Sequence, residues 1–127
     1  MAGELEAVVR EMFSRFDEKD FEGALKSVAL DVQRVDEISR HWMRSHGELR
    51  EYMDRLALAV ENVSSEISDV HETMLGEVGV VTCWLEQGYT LEGERTHVSA
   101  PTSVVLRREA GEWRITLFHS IPLAAEA

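Results

Sequence analysis

The sequence feature that most constrains the fold is a change in the spacing of apolar residues near Ser64. In the first half of the chain, apolar residues recur every three or four positions, which is typical of one face of a helix. From Ser64 onward, alternate positions are apolar, which is typical of strands. Helices followed by strands within 127 residues predict a single α+β domain spanning residues 1–127.

Three helical segments are predicted in the first half. The first carries its apolar face on Leu5, Val8, Val9, Met12, Phe13 and Phe16. Asp20 is a suitable N-cap for a short second helix. Ser45, with Glu48 three residues later, has the form of a capping box for the third helix. The apolar stripe predicted for the third helix comprises Leu49, Tyr52, Met53, Leu56, Val60 and Val63. Residues 31–38 are expected to be extended, and residues 41–47 have no clear period.

Four strands joined by short turns are predicted in the second half. They cover residues 67–75, 78–91, 96–108 and 113–120. Connections of hairpin length favour an antiparallel meander. Pro101 lacks an N–H group, so its position suggests a sheet edge or a bulge at that point.

Both faces of this sheet are predicted to be apolar. Residues 80–85 (VVTCWL) point alternately to opposite faces, and the helices cover only one of them. A second copy of the chain is the economical cover for the other face, so we expect a homodimer.

Composition and charge exclude several functions. The net charge is −11 and the pI is about 4.8, which disfavours nucleic-acid and anionic membrane partners. Cys83 is the only cysteine, so no intrachain disulfide is expected, and its apolar surroundings predict a small buried side chain. The first residues resemble neither a signal peptide nor a membrane helix, and a cytoplasmic location is expected.

Three short motifs carry a family resemblance. Residues 20–25 (DFEGAL) enter the second helix, Gly47 precedes the start of the third, and the chain closes with GEWRI over 111–115 and FHSIP over 118–122. In order and spacing they resemble the nuclear transport factor 2-like superfamily, within it the SnoaL-like and ketosteroid-isomerase-like branches. The resemblance implies a cone-shaped, curved antiparallel sheet packed against three N-terminal helices, with a pocket. The superfamily includes isomerases, cyclases, dehydratases and association modules, so the fold does not by itself imply an activity.

The resemblance also suggests catalytic positions. Ketosteroid isomerases combine a carboxylate base with an oxyanion hole made by a tyrosine and a protonated aspartate. The base position falls on Asp36, the acid position on Ser103 and the tyrosine position on Met12. Because both oxyanion donors are replaced, steroid isomerisation by that mechanism is not expected.

The candidate catalytic residues are therefore Asp36, Ser103 and His119. Asp36 serves as the base if burial beside Trp42 raises its pKa, and the alternative is a solvated carboxylate in the Asp36–Glu37 pair. Ser103 and His119 are candidates to orient a carbonyl or hydroxyl group, although a histidine in a strand is also a common structural residue. The candidate ligand-binding residues are Met12, Phe16, Trp42, Trp84, Tyr89 and Phe118, for which ordinary packing is the alternative.

No cofactor and no metal are expected. His41 and His46 flank Trp42, but their spacing does not match a zinc site. Three hypotheses remain. The first is an enzyme for proton transfer on a small apolar or polycyclic substrate, of the isomerase, cyclase or dehydratase type. The second is a non-catalytic ligand-binding protein, and the third is a homo-oligomerisation module.

Overall fold

The computed structural model describes residues 3–124, so residues 1, 2 and 125–127 of the expected domain lie outside the described part. Helices cover one face of a curved sheet, which confirms the predicted α+β class. The helices are α1 (Glu4–Asp17), α2 (Phe21–Leu25) and α3 (His46–Ala59). The strands are β1 (Val28–Val35), β2 (Val60–Leu75), β3 (Val78–Leu91), β4 (Glu94–Glu109) and β5 (Glu112–Ser120).

The sheet has the order β1-β5-β4-β3-β2. Strands β2 to β5 form the predicted antiparallel meander. The sequence did not predict β1 as a fifth strand, which pairs in parallel with β5 and places Val35 opposite His119. Its sequence, VALDVQRV, does not alternate regularly, and its partner strand is about 85 residues away in the chain. This strand carries the segment after Val35 to the inner face of the sheet.

The predicted caps of α2 and α3 are confirmed. The Asp20 carboxylate accepts a hydrogen bond from the Gly23 amide at 2.9 Å. The Ser45 hydroxyl accepts one from the Glu48 amide at 3.0 Å. Each bond satisfies an amide that the first turn of a helix leaves free.

The predicted end of α3 was wrong. Val60 and Val63 continue the helical spacing, but both belong to β2, which begins at Val60 and pairs with the far end of β3. Asn62 has φ of 52° in an irregularity of this pairing. The hydrogen bonds to β3, and not the local helical spacing, therefore determine the structure of this segment.

Pro101 lies in an interior strand. The register between β3 and β4 passes through Trp84 and Pro101 without a shift, so neither a bulge nor an edge strand is present. Pairing of β4 with β5 ends one residue later, at Thr102 opposite Ser120. The missing N–H of Pro101 therefore falls where β5 no longer runs beside β4.

The inner face of the sheet forms the core with the helices. Alternate residues of β3, β4 and β5 are buried there, including Cys83, whose thiol pKa burial raises to about 11. The outer face carries the intervening residues, which are half-buried or exposed. None of the helices formed by residues 3–124 combines the length and apolar character needed to cross a bilayer.

Candidate functional site

Asp36 is the centre of a buried polar cluster at the end of β1. Its side chain is fully buried, and its Oδ1 accepts hydrogen bonds from the backbone amides of Ile38 at 3.1 Å and Ser39 at 2.8 Å. The Tyr52 hydroxyl of α3 donates to the same oxygen at 3.2 Å. Side-chain bonds of this kind stabilise a turn directly after a strand. This turn therefore holds the Asp36 carboxylate in the interior of the domain.

Arg34 supplies the cation of this cluster. Its Nε donates to Asp36 Oδ2 at 2.8 Å, and both side chains are almost completely buried. The guanidinium lies 4.1 Å above the ring of Phe118, and its Nη1 is 3.7 Å from the sulfur of Met12. A buried cation is stable only when it is paired in this way. The pair therefore contacts residues of α1, α3 and β5 at the end of β1.

The environment of Asp36 holds it ionised. Burial alone acts to raise its pKa, but the charge of Arg34 and the hydrogen bonds from Ser39, Arg34 and Ile38 outweigh burial, so its pKa is lowered. The sequence instead predicted a raised pKa for a base at this position. A carboxylate with a lowered pKa is a weak base near neutral pH.

Glu37, the next residue, has the opposite character. Its side chain is 1% exposed. Burial, and secondly the charge of Asp36, raise the pKa of Glu37 to about 7, against the smaller opposing effects of Arg34 and Gln87. Its Oε2 has no hydrogen-bond partner among the described residues. Because Arg34 and Asp36 neutralise each other, the ionisation of Glu37 sets the net charge of the cluster.

Two tyrosines and a glutamine surround these acids. Burial is the main cause that raises the pKa of both Tyr52 and Tyr89, and the negative charges of Asp36 and Glu37 add to it. Both hydroxyls therefore stay protonated and can donate hydrogen bonds. Gln87 of β3 is completely buried, and its Oε1 also lacks a partner among residues 3–124.

The structure brings part of the predicted site together on the inner face. Met12 and Phe118 contact Arg34, which binds Asp36. Phe16 and Tyr89 are buried in the adjoining apolar cluster. In this structure these side chains fill the interior around the acids.

The other predicted residues lie elsewhere. Ser103 and His119 are opposite each other in the β4–β5 register and point to the outer face, since their neighbours Val104 and Phe118 are buried inside. His119 is exposed, whereas Ser120 is buried and hydrogen-bonded to Thr102 at 2.8 Å. Neither Ser103 nor His119 therefore reaches Asp36.

Both predicted tryptophans also lie away from the acids. Trp84 is on the outer face, and its Nε1 donates to Glu86 at 2.8 Å. Trp42 is 40% exposed, with its ring 6.2 Å from that of His119. Trp42 therefore does not supply the burial of Asp36, which comes from the core around β1.

The sequence analysis missed Glu37, Arg34 and Gln87 as site residues. A usable signal existed for Gln87, which is polar within the inward series Val81, Cys83, Leu85, Gln87 and Tyr89. A second signal was the spacing of two between Arg34 and Asp36, which places both on one side of an extended segment. The opposed pKa shifts of neighbouring acids had no sequence signal.

Two grooves lie apart from the acids. One, of about 760 Å³, lies between α1, α2 and the β4–β5 turn, and its lining includes charged side chains as well as Trp113. The other, of about 280 Å³, lies between α1 and β2 and includes Asp17 and Ser65. Neither groove includes Asp36 or Glu37.

Solved structures share this architecture. A proposed dehydratase of the nuclear transport factor 2-like (NTF2-like) family from Streptomyces avermitilis is 17% identical over 95% of each chain, with a TM-score of 0.84. A proposed aromatic ring hydroxylase from Novosphingobium aromaticivorans is 14% identical, with a TM-score of 0.87 over 95% of this chain and 87% of that one. A ketosteroid isomerase-like protein from Erwinia carotovora atroseptica is 18% identical over 94% of each chain, with a TM-score of 0.79. At these identities the similarity shows the fold alone.

The curved sheet, the helices on its inner face and these similarities show an NTF2-like fold. The sequence profile of the SnoaL-like domain matches residues 5–124. The chain therefore belongs to the SnoaL-like domain family, as its sequence motifs predicted. A search of curated protein sequences finds no match to this chain.

Proposed function

We propose that this chain is a cofactor-independent acid–base protein that binds a small, largely apolar molecule inside the cone and transfers a proton through Glu37. The observation that carries the proposal is the buried Glu37 carboxyl beside an acid held ionised. The pKa of Glu37 is about 7, and its Oε2 has no hydrogen-bond partner among residues 3–124. Neighbouring acids with opposed pKa shifts are a frequent sign of acid–base chemistry. Isomerisation and dehydration both need such a group.

The residues around Glu37 have distinct roles in this proposal. Near neutral pH, both forms of Glu37 are populated, so it can accept a proton from a substrate carbon and return it at another position. Asp36 and Arg34 form the fixed ion pair that keeps the cluster in place. Tyr89 is the available donor to a substrate oxygen, since the Tyr52 hydroxyl already donates to Asp36. This assignment moves the base by one residue from the position that the family resemblance implied.

Access to Glu37 requires movement. Its side chain is 1% exposed, so a substrate reaches the carboxyl only when residues 36–45, which connect β1 to α3, or the side chains beside them give way. Connections of this kind often open and close during turnover. The apolar side chains of the cone then favour a substrate that is itself mainly apolar.

The proposal predicts general-base catalysis on a model substrate. A nitrobenzisoxazole, whose ring opens when a base removes a carbon-bound proton, is a suitable probe because product absorbance reports the rate. We expect turnover that rises with pH through about 7, since only the ionised Glu37 accepts a proton. Glu37→Gln should lower the rate roughly 100-fold or more, the usual effect of removing a general base.

Glu51→Gln is the matched control, because it removes an exposed carboxylate from α3 and leaves the cone unchanged. If Glu37→Gln turns over the probe at the wild-type rate, Glu37 is excluded as the base. Probe binding with no turnover in any variant would favour the non-catalytic ligand-binding function.

The outer sheet face supports a second function, self-association. Four apolar side chains there are only half-buried in the single chain, namely Val80, Trp84, Val105 and Leu117. Val80, Val105 and Leu117 form one row, since Val80 lies opposite Val105 and Val105 opposite Leu117. Trp84 lies on the same face, beyond the row of Thr82, Ser103 and His119. Apolar side chains on the sheet face that the helices leave uncovered favour a homodimer.

A charged residue at this face should separate the dimer. We expect sedimentation at micromolar concentration to show a dimer for the wild type and a monomer for Trp84→Asp. The expected loss is about 30-fold or more in affinity, as for a central interface tryptophan. Leu58→Asp, which alters a leucine 92% exposed on α3, should remain a dimer. A wild-type protein that sediments as a monomer would exclude this function.

A further inference from the structure

The connection between β1 and α3 is basic in an otherwise acidic chain. The chain has 24 Asp and Glu residues against 13 Lys and Arg, but residues 38–47 (ISRHWMRSHG) contain two arginines, two histidines and no acid. Salt screens charges that lie more than about 8 Å away at physiological ionic strength. A small anion at this connection therefore interacts more strongly with Arg40 and Arg44 than with the distant acids.

Arg40 belongs to the same backbone turn as Glu37. The Arg40 amide donates a hydrogen bond to the Asp36 carbonyl at 3.0 Å, which closes a turn over residues 36–40. Within this turn the Glu37 side chain is buried, whereas that of Arg40 is exposed. Burial raises the pKa of Tyr89, and the charge of Arg40 opposes that rise. The Arg40 side chain therefore lies on the solvent side of the turn that holds Glu37, within electrostatic range of the cone.

Arg44 lies on the outside of the next part of this connection. Met43 exchanges two backbone hydrogen bonds with Arg34, each of 2.8 Å, and its side chain is buried. Because side chains alternate along an extended segment, Trp42 and Arg44 point away from Met43, and both are exposed. The Arg44 guanidinium is 5.3 Å from the centre of the Trp42 ring, which in turn lies beside His119. Arg44 therefore has an aromatic surface next to it.

Neither Arg40 nor Arg44 is neutralised by an acid of the described chain. Most of its arginines pair with a carboxylate. By contrast, no carboxylate among residues 3–124 lies within ion-pair distance of Arg40 or Arg44. An exposed guanidinium binds carboxylate and phosphate oxygens through charge-assisted hydrogen bonds, often two at a time. Within residues 3–124, both groups are therefore available to an anion from outside.

The interior of the cone is unsuitable for such an anion. Arg34 is already paired with Asp36, and Glu37 adds a negative charge when it ionises. An anionic group beside them would be repelled by Glu37 and would lose its hydration without a cation to replace the water. The charge of an anionic ligand is therefore stable only outside the cone.

We propose that the ligand of the cone is an amphipathic anion, whose apolar body enters towards Glu37 while its carboxylate or phosphate group stays outside and binds Arg40 and Arg44. The inference rests on the proposed function, because it uses the same cone and the same entry across residues 36–45. It adds the substrate class, a mainly apolar molecule with one anionic group at the end that enters last. Trp42 then packs against the part of the ligand at the entrance.

Two fluorescent probes test this charge requirement. Anilinonaphthalene sulfonate and phenylnaphthylamine share one aromatic body, with and without a sulfonate, and both emit more strongly when they leave water. In the double variant Arg40→Gln with Arg44→Gln, we expect the Kd of the sulfonate probe to rise about tenfold or more, because charge-assisted hydrogen bonds are lost. The Kd of the neutral probe should stay unchanged.

The matched control removes two exposed cations from other parts of the chain. Lys19→Gln combined with Arg55→Gln changes the net charge by the same amount, and the two residues lie between α1 and α2 and on α3. This control should bind both probes as the wild type does. Naphthoate and naphthyl phosphate, used as competitors, then identify which anionic group the two arginines prefer.

Two results would overturn the proposal: a wild type that does not bind the neutral probe, or a double variant that binds the sulfonate probe as tightly as the control. The nitrobenzisoxazole carries no anionic group, so its turnover tests Glu37 independently. Weakened sulfonate binding in the double variant without turnover in the wild type would refute the base and leave the anion site standing. Turnover that depends on Glu37, with unchanged sulfonate binding in the double variant, would refute only the anion site.

Discussion

Replacement of Arg34 by methionine is expected to lower the free energy of unfolding at pH 7 by about 3 to 5 kcal/mol, the usual cost of leaving one charge of a buried pair uncompensated. Both side chains of the pair are almost completely buried, with relative exposures of 4% and 1%. The residual Asp36 carboxylate would keep three hydrogen-bond donors on Oδ1 but no cation. Urea unfolding of the two proteins measures the difference.

The pH dependence of this loss has a defined sign. In the wild type, the lowered pKa of Asp36 contributes stability above its unfolded pKa of about 3.9, which disappears as the pH falls through the folded pKa. In Arg34→Met, burial dominates and the folded pKa of Asp36 lies above the unfolded one, so the variant gains stability as the pH falls. The difference between the two proteins should therefore narrow from pH 7 towards about pH 4.

Two further variants make the result interpretable. Arg50→Met removes a doubly hydrogen-bonded but exposed pair with Glu22, and should change the free energy of unfolding far less than Arg34→Met does. Arg34→Met combined with Asp36→Asn removes both charges and should recover part of the loss. An Arg34→Met variant as stable as Arg50→Met would show that the buried pair does not hold the cluster together.

The fold was largely predictable because its signals are local. The turn at Gly76, where φ is 63°, and the apolar run of residues 80–85 specify β3 without reference to the rest of the chain. The boundary at Val60 was missed because helical spacing continues there while pairing with Leu91 decides the outcome. Strand β1 was missed for a related reason, since only the distant β5 makes it a strand.

The site was less predictable because it depends on contacts between distant elements. The family resemblance located the acidic pair, but the roles within the pair come from Arg34, Tyr52 and the turn amides. These contacts lower the pKa of Asp36. Glu37 has no such contacts to the turn amides, and burial and the charge of Asp36 raise its pKa. His119 and Ser103 were expected beside the acids, but both point to the outer face. The sequence did not show which alternate positions of β4 and β5 face inward.

The contribution of Glu37 to the stability of the wild type should fall as the pH rises from about 4 to about 7.5, and Glu37→Gln should remove that fall. The pKa of Glu37 is about 7 in the folded chain and about 4.3 in an unfolded one. A raised folded pKa contributes stability that is complete below the unfolded value and is lost as the pH rises through the folded value. The gap corresponds to roughly 4 kcal/mol, of which roughly 3 kcal/mol should be lost between about pH 4 and about pH 7.5.

The informative quantity is the difference in unfolding free energy between Glu37→Gln and the wild type, because the other acids contribute equally to both. This difference should increase by roughly 3 kcal/mol in favour of the variant across that pH range. Glu51→Gln, on the exposed side of α3, supplies the baseline for losing one negative charge. If the free energy of unfolding of Glu37→Gln varies with pH in the same way as that of Glu51→Gln, the Glu37 carboxylate is effectively solvated.

The result also bears on function. An acid that destabilises the fold once it ionises is a costly residue for a purely structural role, and a buried glutamine would fill the same space without that cost. A stability gain in Glu37→Gln together with lost turnover on the benzisoxazole would show that stability is exchanged for chemistry at this position, as is common in active sites. The same gain with no turnover in the wild type would instead favour the outer sheet face and its self-association as the main function of the chain.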